Sequence, residues 1–75
     1  MTANEMFGEL GYARTALASD LIRYENDDDI WVEFCSLDKT VSAFAQSNGF
    51  KHLPLSMMIL NAIKKQCQEL GWLDG

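Results

Sequence analysis

Ile30-Trp31-Val32-Glu33-Phe34-Cys35 alternates two kinds of side chain, with Ile30, Val32 and Phe34 on one side and Trp31 and Glu33 on the other. β-branched and aromatic residues at a two-residue period are suited to a pleated, half-buried surface, so this stretch is the strongest strand signal in the chain. Before it, Asn26-Asp27-Asp28-Asp29 is a cluster that breaks regular structure and favours a turn, and Leu21-Ile22-Arg23-Tyr24 is a short apolar and aromatic run. After it, Ser36-Leu37-Asp38-Lys39 suits a four-residue hairpin turn, and Thr40-Val41-Ser42-Ala43-Phe44-Ala45 predicts a further strand, ending at Ser47-Asn48-Gly49. The expected sheet is a three-stranded antiparallel meander.

Helical signals lie at both ends. Thr2 followed by Glu5 forms a capping box, in which each side chain satisfies an orphan amide of a first helical turn. Met6, Phe7 and Leu10 are spaced for one apolar face, Gly11 can take the left-handed conformation that ends a helix, and Tyr12 then packs back. Arg14 to Asp20 mixes alanines, which favour helix, with Thr, Ser and Asp, which favour turns, and is read as a connection. Towards the other end, Leu55, Met58, Ile59, Ala62, Ile63, Gln66, Cys67 and Leu70 form one apolar stripe, and Asn61, Lys64, Lys65, Gln68 and Glu69 are placed in water. Pro54 and Ser56 compete to start this helix, Lys65 and Glu69 are spaced to pair, and Gly71 followed by Trp72 repeats the Glu-Leu-Gly-aromatic ending of the first helix. The fold class is therefore α+β, in the order αβββα, as a single domain over residues 1–75.

Composition narrows the function. Nearly half of the 75 residues are apolar and eight are aromatic, which is far from a disordered composition, although a chain this short builds only a thin core. No apolar run approaches a membrane span, and Met1-Thr2-Ala3-Asn4-Glu5 lacks the basic and apolar segments of a signal peptide, so a cytoplasmic location and no membrane partner are expected. The net charge of −5 disfavours nonspecific binding to phosphate backbones. That charge is uneven: seven acids accompany Arg23 alone between Asp20 and Asp38, whereas Lys39 to Gln68 contains four lysines and no acid. An acidic docking surface is the sharper explanation of this bias, and ordinary solvated loops and helix faces are the plainer one.

Chemistry-bearing clusters are sparse. Asn26 to Asp29 lacks the alternating acids, central glycine and distal glutamate of a calcium loop. Cys35, His52 and Cys67 are too few and too far apart for a structural zinc site, and the two cysteines fit reduced packing residues better than a disulfide or a nucleophile with its base. No glycine-rich phosphate loop, serine elbow or HExxH helix occurs, so no catalytic residue, metal or cofactor is expected and the protein is read as noncatalytic. Lys51, Lys64 and Lys65 without an aromatic platform make nucleic acid an unlikely partner. The candidate binding residues are instead Trp31 and Glu33 on the sheet face opposite Ile30, Val32 and Phe34, with Arg23 and Phe44 beside them and Asp27 and Asp28 in the adjoining turn. Against this stands the alternative that the N-terminal helix covers that face or that Trp31 caps the edge of the core.

The order helix, Leu-Gly-Tyr, Ile-Arg-Tyr-Glu, acidic turn, Ile-Trp-Val-Glu-Phe, Asp-Lys-Thr, then Ile59 to Trp72 (Ile-Leu-Asn-Ala-Ile-Lys-Lys-Gln-Cys-Gln-Glu-Leu-Gly-Trp) resembles a group of short, uncharacterised proteins encoded by phages and prophages of Gram-positive bacteria. The chain departs from that pattern at Arg14 to Asp20 and at Phe50 to Leu55. The resemblance implies an origin in mobile elements and supplies no catalytic residues. Together these readings suggest an accessory factor that binds a host or phage protein. The alternatives are a homodimer through the same face, or a regulator that touches nucleic acid weakly through its lysines.

Overall fold

The computed structural model describes residues 1–45 and 55–73. It has an α+β architecture with six elements: α1 (Ala3–Glu9), β1 (Ala13–Ala18), β2 (Leu21–Glu25), β3 (Ile30–Cys35), β4 (Thr40–Ala45) and α2 (Met57–Glu69). The strands form one antiparallel sheet in the order β1-β2-β3-β4. The meander therefore has four strands, not three. Arg14 to Asp20, expected as a connection, instead contributes most of β1, with Arg14 opposite Tyr24 and Thr15 opposite Arg23. Weak local preference lost to cross-strand pairing, which decides strand formation more than propensity does. The turn chemistry of that stretch is confined to Ser19 and Asp20, which link β1 to β2.

The expected helix ends are built as their residues dictate. Thr2 caps α1 through the complete box with Glu5, and the Thr2 amide donates to Glu5 Oε1 at 2.8 Å. Gly11 and Gly71 both take positive φ, at 89° and 78°, and the following amides of Tyr12 and Trp72 donate back to the Phe7 and Cys67 carbonyls at 2.9 Å each. At the start of α2 the cap is Ser56, whose Oγ accepts the Ile59 amide. Pro54 and the strand break at Ser47-Asn48-Gly49 lie outside the described residues.

Both helices pack on the face of the sheet that carries Tyr24, Val32 and Phe34. Phe7 from α1 stacks on Tyr24 with ring centroids 3.9 Å apart, and Phe34 meets both rings edge-on. Ala62 and Cys67 from α2 complete this buried cluster. The Tyr24 hydroxyl donates to Gln66 Oε1 at 2.6 Å, so the buried polar member of the α2 stripe has a partner. Met58 is the exception within the stripe. It is 62% exposed and lines an open groove with Met1, Met6, Leu10, Glu9 and Asn61. Glu69, spaced to pair with Lys65, accepts the Ala3 amide at 2.8 Å and so ties the end of α2 to the start of α1.

Candidate functional site: the opposite face of the sheet

Because side chains alternate along a strand, the residues between the core positions of β2, β3 and β4 share the other face. The register places Arg23 directly opposite Glu33, and Trp31 opposite Phe44. Among the described residues, neither helix covers this face. Its centre is a connected cluster. Arg23 Nε donates to Glu33 Oε2 at 2.8 Å, and Nη2 reaches the same oxygen at 2.5 Å. Arg23 Nη1 contacts Glu25 Oε1 at 3.4 Å, and the guanidinium lies over the Trp31 ring with its carbon 4.1 Å from the centroid. Trp31 meets Phe44 edge to face at 5.1 Å.

The electrostatics follow from this arrangement. Arg23 is held even more firmly in its charged form, first by its hydrogen bond to Glu33 and against the opposing effect of desolvation. One cation sits between two carboxylates, so the cluster carries a net negative charge. Asp27 and Asp28 extend that charge at one end of the face, where Asn26 Oδ1 accepts the amides of Asp28 and Ile30 and shapes the turn. Asp29 completes the turn in the left-handed region at φ 57°. At the opposite end, Asp38 lies in the β3–β4 turn and is held below its ordinary range, chiefly by the Thr40 hydroxyl, which donates to it at 2.7 Å.

All six candidate residues lie among the described ones. Arg23, Trp31, Glu33 and Phe44 come together, whereas Asp27 and Asp28 are exposed in the adjacent turn. Trp31 is half-buried by its neighbours on the face itself, not by a covering helix. The sequence reading missed Glu25, the second carboxylate on Arg23. Its signal was present in Arg23-Tyr24-Glu25, where positions two apart in a strand share a face.

The thiols are separated by the sheet. Cys35 alternates onto the Trp31 face, while Cys67 is in the core, and both are free. Burial pushes the Cys67 thiol above its ordinary value, which opposes the thiolate a nucleophile or metal ligand needs. His52 and Lys51 lie outside the described residues. Among the described residues, no group of three or more His, Cys, Asp or Glu side chains is placed to hold a metal ion, and no helix is long and apolar enough to cross a membrane.

Comparison with protein families, with curated proteins and with solved structures finds no match to this chain in any of the three.

Proposed function

We propose that this protein is a noncatalytic accessory factor of a phage or prophage, acting in the host cytoplasm by binding a protein partner through the sheet face around Trp31 and the adjoining acidic turn. The observation that carries this reading is the Arg23-Trp31-Phe44 cluster. An arginine and two aromatics are gathered, with their side chains braced by Glu33 and Glu25, on a face that neither described helix covers. Arginine and tryptophan are the residue types enriched at interface hot spots, and braced side chains lose less freedom on binding. The surrounding negative charge selects a partner with complementary lysines or arginines. The mobile-element origin is supported by the motif order from Leu10-Gly11-Tyr12 to Gly71-Trp72.

Capture from host lysate tests the proposal. The wild-type chain should retain a specific protein that is lost with Trp31→Ala combined with Asp27→Asn and Asp28→Asn, while circular dichroism shows the variant folded. Equal capture by the folded variant would refute it.

A further inference from the structure

The two edges of the sheet are finished differently. On β1 the register shifts between Ala16 and Ala18, and the strand carries an exposed Arg14. A bulge and an outward charge are devices that keep a foreign strand from pairing with an edge. On β4, Thr40-Val41-Ser42-Ala43-Phe44-Ala45 contains no charge, proline or glycine, and its register against β3 is unbroken. Among the described residues, β4 has β3 as its one neighbour.

Ladder alternation identifies the groups this edge offers. The Asn26 amide donates to the Ile30 carbonyl, and the Ser36 amide donates to the Asp20 carbonyl. Hydrogen-bonded pairs of an antiparallel ladder recur at every second residue, so even-numbered residues of β3 bond to β2 and odd-numbered ones bond to β4. Trp31, Glu33 and Cys35 therefore use Phe44, Ser42 and Thr40, their register partners. The amides and carbonyls of Val41, Ala43 and Ala45 point away from the sheet.

We infer that this edge pairs with β4 of a second copy of the chain, antiparallel about a two-fold axis at Ala43. In that register Val41 faces Ala45 of the other copy and Ala43 faces its own equivalent, so all three outward residues find partners on both chains. Two copies that each carry a net charge of −5 repel over most of their surfaces. An uncharged edge lets them meet with no like charges opposed across the ladder. A two-fold contact uses the same patch twice and closes on itself, giving an eight-stranded sheet instead of a fibre. Both sets of helices lie on one face of that sheet and both Trp31 clusters lie on the other, so the pairing doubles the proposed binding face without occupying it.

Sedimentation equilibrium from low to high micromolar concentration tests this inference. The mass should rise from 8.5 kDa towards twice that value. The double variant Val41→Lys, Ser42→Lys adds charge at two exposed positions and should remain monomeric. Ala43→Pro removes an outward amide that β3 does not use and should likewise remain monomeric, since proline is tolerated on edge strands. Trp31→Ala should dimerise as the wild type does. A wild type that stays monomeric throughout would overturn the inference. So would a dimer that survives the folded lysine variant, or one that is lost in Trp31→Ala, which would assign the contact to the open face.

Discussion

Tyr24 is the residue on which the core turns. Its ring stacks on Phe7 and its hydroxyl reaches Gln66 inside the helix–sheet layer, so one side chain joins α1, β2 and α2. Tyr24→Phe strands a Gln66 oxygen in a residue only 3% exposed, which should destabilise the fold by about 1–3 kcal/mol in urea unfolding. Adding Gln66→Leu should recover much of that loss, because removing both partners is far less damaging than removing one. Burial also raises the Tyr24 hydroxyl above its ordinary 10.0 and the Cys67 thiol above 9.0. A raised value means that the folded state holds the proton more tightly. The corresponding stability is complete below those ordinary values and is lost as pH rises through the higher folded ones. At the acid end, the hydrogen bonds of Thr2 to Glu5 hold that carboxyl below 4.5. Its contribution is present above that value and disappears as pH falls through the lower folded one. Unfolding midpoints measured across pH should form a plateau with losses at both ends, and Tyr24→Phe should shrink the alkaline loss.

At the scale of elements, the helix ends are the most legible part of the chain because their chemistry is local. Gly11 and Gly71 have open space where a Cβ would sit, so replacing either tests backbone conformation and not crowding. Gly11→Ala or Gly71→Ala should each cost about 1–2 kcal/mol, the penalty for an L side chain in the left-handed region. Asparagine at the same position should cost less, and thermal unfolding of the variants distinguishes the two. The β2, β3 and β4 strands and their turns were equally legible from alternation and turn residues. β1 was not. Its residues carry no strand pattern, and they pair because β2 presents an edge to them, information that lies in Arg23 and Tyr24, not in Thr15 or Ala16. Met58 failed for a related reason. Helical spacing placed it on the stripe, but its neighbours are residues of α1 and its flanks, Met6 and Leu10 among them, which line an open groove and leave the side chain 62% exposed.

For the whole molecule, the sheet divides two surfaces of different character. The helix side holds the aromatic core, and Phe7→Ala should cost about 3–5 kcal/mol, a large fraction of the total stability of a small domain. Trp31→Ala should cost less, since the half-buried ring contributes about 0.5–1 kcal/mol with the guanidinium and a similar amount with Phe44. Circular dichroism melts of the two variants check that contrast. Which residues gather on the Trp31 face was legible from alternation alone; that both helices choose the other face was not, because nothing in a helix's own stripe says which side of a sheet it will cover. The molecule carries a marker on each side: Trp31 on the open face, and Trp72 packed near Phe34 on the core side. Oxidative footprinting of the protein with a captured partner, read by mass spectrometry at the two tryptophans, is the most direct test of the proposed function. Binding should protect Trp31 while Trp72 reacts as in the free protein; protection of Trp72 with Trp31 unchanged would contradict the proposal.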